Sequence, residues 1–315
     1  MSEKKKKISV VIALYNEAGV VDELFERLTK AADSCAHGFE FIFVNDGSTD
    51  ETLAKLDSLC RKDERVLALD LARNFGHHAA LTAGIEEAVG DAIVLMDADL
   101  EDNPEDLEKF IAAWDEGNEV VYAVRGRRDV GLIRSAAFNL YHTINSRLEQ
   151  RMPIAGTFSL IDRRVIDVLK KMPERTRYIP GLRSWAGFRQ KGITLDRGTR
   201  YDHRPRVSFL RLIRLALDSY VAFSKLPLKL ASMFGVFFSI IGFCATLVIV
   251  GYQLTTGFRI IGWASLMSTI IFASGIQLIC LGILGEYMAQ ILDETKGRPV
   301  YILRAKYRGD RRTDV

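Results

Sequence analysis

The sequence predicts an α/β fold built on a mostly parallel sheet, followed by an apolar C-terminal region. Between residues 8 and 124, short apolar runs rich in β-branched residues alternate with segments of helical periodicity. That alternation is typical of a parallel sheet with helices on both faces. Polar residues directly follow several of the apolar runs, and two long uncharged runs lie after residue 229.

The predicted order of elements in the first part of the chain is β-α-β-α-β-α-β. The strands are predicted at 8–14, 39–44, 66–71 and 93–96, and the helices at 20–32, from the capping residues 48–51 to residue 60, and at 79–89. A fifth strand is predicted at 120–124, a helix at 131–151, and an amphipathic helix in the membrane interface at 209–223.

Composition narrows the class of protein. A chain of 315 residues holds about two domains. The net charge of +3 gives no field that favours nucleic acid, so we expect no nucleic-acid partner. The four cysteines lack CxxC spacing, which argues against a disulfide framework or a zinc site. The charged start lacks an apolar run, so no cleavable signal peptide is expected.

The C-terminal part predicts two transmembrane helices. The runs 230–256 and 260–285 each exceed the roughly 20 residues that cross a bilayer. Basic residues cluster before the first run and after the second, which places both ends of the hairpin in the cytoplasm. The chain is therefore expected to be a multi-pass protein of the plasma (inner) membrane. The predicted domains are a cytoplasmic domain at 1–204, juxtamembrane helices at 205–228, a transmembrane hairpin at 229–287 and a cytoplasmic tail at 288–315.

Acidic residues follow the strand at 93–96. Asp97, Asp99, Glu101 and Asp102 begin where that strand ends, and ligands of open α/β sheets bind beyond the carboxyl ends of strands. Carboxylates at i and i+2 can hold Mg²⁺ or Mn²⁺ against a substrate diphosphate. Taken alone, an Asp-x-Asp tripeptide is more often a solvated turn.

Polar residues also follow the first two strands. Asn16 and Glu17 come after the first, and Asp46 after the second. An acid at the position of Asp46 suits hydrogen bonding to a base or ribose, although an Asx turn or helix cap is the alternative. Neither a dinucleotide fingerprint nor a P-loop motif is present, so phosphate binding through a metal is favoured.

Eight motifs in the chain resemble those of the family-2 glycosyltransferases with a GT-A fold. More narrowly, they resemble the polyprenyl-phosphate glycosyltransferases of the GtrB and dolichol-phosphate-mannose-synthase kind. The motifs are ALYNE (13–17), VNDGSTDET (44–52), RNFGHHAALTAG (73–84), DADLEDNPE (97–105), GTFSLIDRRV (156–165), GLRSWAGFRQ (181–190), FSKLPLKL (223–230) and GEYMAQILDETKGRPVYIL (285–303). The resemblance runs nearly from end to end of the chain.

The resemblance implies an inverting transfer of a hexose from a nucleotide diphosphate sugar to a polyprenyl phosphate at the cytoplasmic membrane face. It implies that Asn16, Glu17 and Asp46 bind the nucleotide, and that Asp97 lies on the ribose or sugar side. UDP-glucose and undecaprenyl phosphate are the expected substrates, with GDP-mannose, UDP-N-acetylglucosamine and a UDP-aminopentose left open as donors.

The same resemblance assigns the acidic loop. Asp99 and Glu101 would carry Mg²⁺ or Mn²⁺, and Asp97, Asp99 and Asp102 are the catalytic candidates. The family often has glutamine at position 101, so Glu101 is a departure that adds a negative charge to the metal site. A phosphate acceptor is largely ionised at neutral pH, so a strong general base is not required; Asp97 and Asp102 are candidates by proximity.

Arginines beyond the fifth predicted strand suit the acceptor. Arg125, Arg128 and Arg134 are assigned to the lipid phosphate through the resemblance, since guanidinium binds phosphate bidentately. A solvated basic face is the alternative. Trp185 and Phe188 either line the sugar or lipid channel or serve as packing.

The apolar runs also allow self-association. Gly235, Gly242, Gly282 and Gly285 permit close helix approach, and a homo-oligomer is expected.

Two rival functions differ from lipid glycosylation. A processive polysaccharide synthase would need a Gln-x-x-Arg-Trp motif, which is absent, and a non-catalytic membrane module would bind a nucleotide sugar or a partner protein.

Overall fold

The computed structural model describes residues 6–125, 155–175, 177–195, 226–256 and 262–315. These residues belong to two compact units: Met1–Arg204 with Arg298–Val315, and Pro205–Gly297. The helices predicted at 131–151 and 209–223 lie outside the described residues.

The first part of the chain alternates strands and helices as predicted. Its elements are β1 (Lys7–Leu14), α1 (Val21–Asp33), β2 (Gly38–Asn45), α2 (Thr52–Lys62), β3 (Val66–Leu71), α3 (His77–Glu87) and β4 (Ala92–Asp97). The apolar side chains of α1 recur at helical spacing and are buried, while Asp22 and Glu23 in its first turn complement the helix dipole. The β-branched runs of β1 and β4 are almost wholly buried, as expected for central parallel strands.

The second part of this unit is less regular. After a 3₁₀ turn at Pro104–Asp106 come α4 (Leu107–Asp115), β5 (Val120–Arg125), β6 (Ala155–Asp162), α5 (Arg163–Lys171), α6 (Ile179–Trp185) and β7 (Gln190–Leu195). The sheet runs in the order β7-β5-β6-β4-β1-β2-β3-β8-β9. Its central strands β4, β1, β2 and β3 are parallel, whereas β6 lies antiparallel between β4 and β5. Buried apolar clusters lie on both faces of the sheet.

The residues after the apolar region complete the other edge of this sheet. The region predicted as a cytoplasmic tail contains β8 (Leu303–Arg308), which pairs antiparallel with β3, and β9 (Arg311–Asp314), which pairs with β8. In β8 the alternate residues Ala305 and Tyr307 are buried. The basic residues that alternate with them, Arg304, Lys306 and Arg308, mask the strand pattern in the sequence.

The described residues of the second unit form two long helices, α7 (Leu226–Thr256) and α8 (Trp263–Thr295). Among the described residues, one helical segment, Thr269–Thr295, is long and apolar enough to cross a membrane, whereas α7 contributes a shorter apolar stretch, Gly235–Cys244. One of the two predicted spans therefore has structural support, and the other stays a prediction. Large apolar side chains of both helices are exposed, including Phe237, Ile271 and Leu278.

Candidate active site

The carboxyl ends of the central strands bring the predicted site residues to one edge of the sheet. Ala13 on β1 pairs with Asp97 on β4 and with Val44 on β2. Asn16 and Asp46, which follow β1 and β2, therefore lie at the same edge as Asp97. Neighbouring strands are about 4.8 Å apart, so these loops lie within reach of a single nucleotide sugar.

The loops after β1 and β2 are pinned to each other by hydrogen bonds. The backbone nitrogen of Asn16 donates to Ser48 Oγ at 3.0 Å, and that of Thr49 donates to Asn16 Oδ1 at 2.8 Å. The backbone nitrogen of Glu17 donates to Thr52 Oγ1 at 3.0 Å. Asn16 has a φ of 56°, a left-handed conformation that asparagine tolerates better than most residues. Asn16 and Glu17, the residues predicted to bind the nucleotide, thus lie on a loop whose conformation is fixed by hydrogen bonds.

Asp46 holds a third loop, between β3 and α3. Its two oxygens accept hydrogen bonds from the backbone nitrogens of Phe75, at 2.7 Å, and Gly76, at 3.0 Å. Burial raises the pKa of Asp46, although these hydrogen bonds and the nearby charges oppose the rise. The next residue, Gly47, has a φ of 66°, and a Cβ there would lie 2.4 Å from the carbonyl carbon of Arg73. Only glycine fits this close approach. The carboxylate therefore has a structural role, and its contact with a nucleotide stays a prediction.

Two histidines at the start of α3 connect that loop to the acidic strand end. His77 Nε2 lies 3.2 Å from Asp97 Oδ1. The ring of His78 meets the edge of Tyr178, with centroids 5.3 Å apart. Burial lowers the pKa of His78 to about 4, so it is neutral at pH 7, and the neighbouring His77 contributes to the shift. Sequence reasoning gave neither histidine a role, although their place directly after a glycine turn, between two polar strand ends, was a usable signal.

The acidic loop after β4 resembles part of a metal site but does not supply a complete set of ligands among the described residues. The backbone nitrogen of Glu101 donates to Asp99 Oδ1 at 3.1 Å, and Leu100 between them has a φ of 56°. Asp102 is buried, at 8% exposure. Within the described ranges, no group of three or more His, Cys, Asp or Glu residues is placed to hold a metal ion. Mg²⁺ commonly takes one or two carboxylates plus substrate phosphates, so Asp99 and Glu101 fit half of such a site.

The C-terminal strand is hydrogen-bonded to the part of this edge formed by β2 and β3. The buried Asp70, on β3, accepts from Asn45 Nδ2 at 2.7 Å and lies 3.5 Å from Arg304 Nη1 on β8. Asn45 Oδ1 accepts in turn from the backbone nitrogen of Ser48 at 3.2 Å. Arg304 Nη2 also donates to the carbonyl of Ala72 at 2.6 Å. A continuous polar network therefore runs from β8 to the loop that pins Asn16.

The predicted acceptor residues are only partly within the described chain. Arg125 ends β5, which lies two strands from β4 and runs parallel to it, so its backbone lies about 10 Å from Asp97 at the same edge. Arg128 and Arg134 lie outside the described residues. Phe188 packs against an apolar cluster of the core, as the packing alternative proposed, whereas Trp185 is exposed.

Comparison with known sequences identifies the family. Residues 9–169 match the model described as glycosyl transferase family 2. The chain belongs to that family. The strand-end loops at 13–17 and 44–52 and the acidic loop all lie within the matched residues, and the α/β architecture is the GT-A-like fold that the sequence resemblance predicted.

Relatives of this family match the chain over nearly its whole length. An uncharacterized glycosyltransferase of Bacillus subtilis, YkcC, is 39% identical over 95% of this chain and 94% of its own. The SfII prophage-derived bactoprenol glucosyl transferase of Shigella flexneri is 33% identical over 96% and 99%. Among solved structures, a mannosyltransferase of Pyrobaculum calidifontis covers 93% of this chain and 88% of its own at 15% identity, with a TM-score of 0.48.

Proposed function

We propose that this glycosyltransferase moves a hexose, with glucose from UDP-glucose as the first candidate, to undecaprenyl phosphate at the cytoplasmic face of the plasma membrane. The observation that carries the proposal is the meeting of the strand-end loops and the acidic loop at one edge, in a chain that aligns along 96% of its length with a bactoprenol glucosyl transferase. The anomeric carbon is inverted in a single displacement.

The donor lies across the ends of β1, β2 and β4. Asn16, Glu17 and Asp46 bind the nucleotide, and Asp97 binds on the ribose or sugar side. The hydrogen bonds that pin Asn16 and Glu17 support this assignment, because a loop ordered before binding loses less conformational entropy when the donor arrives. The contact between His77 and Asp97 fixes the position of that carboxylate.

Asp99 and Glu101 hold a divalent cation, Mg²⁺ or Mn²⁺, together with the donor diphosphate. When bound, the cation supplies Lewis-acid stabilisation of the charge that develops on the leaving diphosphate. The backbone hydrogen bond to Asp99 supports this role, since it orients one carboxylate oxygen.

The acceptor phosphate is bound by Arg125, Arg128 and Arg134. A phosphate monoester has a second pKa near 6, so its oxygen reaches the sugar already ionised. Alignment of that oxygen behind the anomeric carbon supplies much of the rate, with Asp97 and Asp102 shaping the site. The position of Arg125 at the edge that carries Asp97 supports this arrangement.

The apolar unit anchors the enzyme beside its lipid substrate. Two transmembrane helices at 229–287 follow the juxtamembrane residues 205–228, with the catalytic domain at 1–204 and the residues from 288 onward in the cytoplasm. Exposed apolar side chains along α7 and α8 support a lipid-facing position, since such surfaces are rare in water. The glycines of these helices provide the contact surface of a homo-oligomer.

A donor screen tests the proposal. Membranes that contain the overproduced chain are given undecaprenyl phosphate, Mg²⁺ and radiolabelled UDP-glucose, UDP-N-acetylglucosamine, GDP-mannose or a UDP-aminopentose. We expect label in the organic phase with UDP-glucose. Label from another donor would replace the sugar, and label from none of them, with nucleotide binding retained, would favour the non-catalytic module.

A further inference from the structure

One buried cation has no use in the function proposed above. Arg183, on α6, is 0% exposed. Its nitrogens Nε, Nη1 and Nη2 are buried, and none of them has a hydrogen-bond partner among the residues that the structure describes. Buried charges in proteins are normally paired, because an isolated ion loses its hydration without compensation. A group of this kind indicates that an acceptor arrives from elsewhere.

The described residues around Arg183 stabilise a cation weakly and include no hydrogen-bond acceptor for its guanidinium. Its guanidinium carbon lies 5.0 Å from the centroid of the Tyr122 ring, which gives a cation–π contact. Burial lowers the pKa of Arg183 to about 10, and the nearby Tyr122 and Tyr178 oppose the change. The side chain therefore remains charged at neutral pH, with its donors unused.

Arg183 lies close to the edge that carries the acidic loop. Tyr122 pairs with Ser159 on β6, and Ser159 pairs with Leu95 on β4. The guanidinium thus lies beside β5, two strands or about 10 Å across the sheet from β4, near the level of Leu95 and about 7 Å below the level of Asp97. The rise of about 7 Å along β5, although not the distance across to Asp97, is within the reach of an arginine side chain, which has four rotatable bonds along its length.

The helix of Arg183 also contacts this edge directly. Tyr178, which precedes α6, packs against the ring of His78, and the adjacent His77 binds Asp97. His78 Nδ1 is a second buried polar atom without a hydrogen-bond partner in the described chain. Two buried polar groups without partners in the described chain therefore lie beside Tyr178, which links them to the edge that carries Asp97.

We propose that Arg183 binds a phosphoryl oxyanion of a substrate at this edge. The inference rests on the proposed function, in which both substrates carry phosphoryl groups. A guanidinium donates two parallel hydrogen bonds to such a group, and these charge-assisted bonds are stronger than the cation–π contact that the side chain gives up when it turns toward the strand end. The phosphoryl group belongs either to the donor diphosphate or to the lipid phosphate.

Binding measurements on the full chain in detergent separate the two sources. UDP with Mg²⁺ is the probe for the donor, and a short-chain polyprenyl phosphate is the probe for the acceptor. The variants are Arg183→Met, which keeps the volume and removes the charge, and Arg183→Lys, which keeps the charge and removes the bidentate geometry. Arg189→Met is the matched control, because Arg189 is exposed and six residues further along.

We expect Arg183→Met to weaken binding of one probe at least tenfold, or about 1.4 kcal/mol, and to leave the other unchanged. Arg183→Lys should lose part of that affinity, and Arg189→Met none. Without ligand, Arg183→Met should melt at a higher temperature than the wild type, since it removes an unpaired buried charge. A purely structural arginine would give the opposite change in melting temperature and no selectivity between the probes.

Two results would overturn the inference. Wild-type affinity of Arg183→Met for both probes would remove Arg183 from the site and leave the proposed function intact. Failure of the wild type itself to bind either probe would overturn the proposed function and this inference together. If Arg183→Met does not fold, Arg183→Lys decides, because unchanged affinity of that variant for both probes excludes a bidentate phosphoryl contact.

Discussion

Two parts of the same sheet edge differ in whether their buried polar groups are hydrogen-bonded. At the ends of β2 and β3, the buried side chains of Asn45, Asp46 and Asp70 are all hydrogen-bonded to neighbouring loops or strands. Beside α6, the guanidinium of Arg183 and Nδ1 of His78 have no such partners in the described ranges. In the first part the buried polar side chains have hydrogen-bond partners before any ligand binds. In the second part, buried polar groups lack partners among the described residues. Stability and binding are therefore expected to respond differently to substitutions in the two parts.

The largest effect is expected in the acidic loop between the two parts. Asp99→Ala should reduce sugar transfer on the order of 10³-fold, because it would remove a ligand of the proposed cation, whose stabilisation of the transition state is worth several kcal/mol. Initial rates of label transfer at saturating Mg²⁺ measure it. Glu101→Gln is the matched control and should keep most of the activity. An Asp99→Ala enzyme with the wild-type rate would exclude the cation from the reaction.

The first part is tested by Asp70→Ala. This change leaves the buried amide of Asn45 without its acceptor and removes one of the two acceptors of the Arg304 guanidinium, and should lower the free energy of unfolding by about 3 kcal/mol. Urea denaturation measures the loss. Asp314→Ala removes the exposed ion pair with Arg312 and should cost less than about 0.5 kcal/mol. Equal losses in the two variants would mean that the polar network from β8 stabilises the fold no more than an exposed ion pair does.

The second part is tested by pH. His78 has a pKa of about 4 in the folded protein, against an ordinary value of 6.5, so the unfolded chain binds more protons in that interval. Protonation of the unfolded chain therefore lowers the free energy of unfolding as the pH falls. This loss of stability is absent above pH 6.5 and complete below about pH 4, where it reaches roughly 3 kcal/mol at about 1.4 kcal/mol for each pKa unit. His78→Gln does not titrate, so its melting temperature should fall less than that of the wild type between about pH 7 and about pH 5. Parallel curves for the two proteins would contradict the burial of a neutral His78.

The smallest effect is expected at Asp46. In Asp46→Asn one acceptor oxygen becomes an NH₂ group that faces the backbone N–H of Phe75 or Gly76, which should lower stability by about 1–2 kcal/mol. The loosened loop should raise the KM for the donor more than it lowers kcat. Steady-state kinetics with a varied donor concentration measure both. A fall in kcat alone would instead place Asp46 in the chemical step.

Much of the sheet edge at β1, β2 and β4 could be predicted from sequence because its signals are local. The apolar runs of β1 to β4 and the helical spacing of α1 predicted the alternation, and the polar residues at the strand ends followed from their place in it. The apolar period also predicted β5 within one residue of its observed end.

The missing features depend on distant partners. β8 has a basic, alternating sequence whose strand character comes from pairing with β3, more than 200 residues earlier. Arg183 follows glycine and leucine in a short motif, where an arginine is expected to be exposed, whereas the fold buries it beside Tyr122 of β5. The role of Asp46 could not be resolved between a nucleotide contact and a turn, because the backbone groups that it binds belong to another loop.

The pairing of β8 with β3 has a consequence for the order in which the protein is made. β8 follows α8 in the chain, so the ribosome must synthesise both long apolar helices before β3 can acquire its neighbour. Until then the nascent domain presents an open strand, the kind of edge to which strands of other chains add. Asp70 lacks its contact with Arg304 over the same period, so the polar network that supports the loop of Asn16 is completed only after both long helices have left the ribosome.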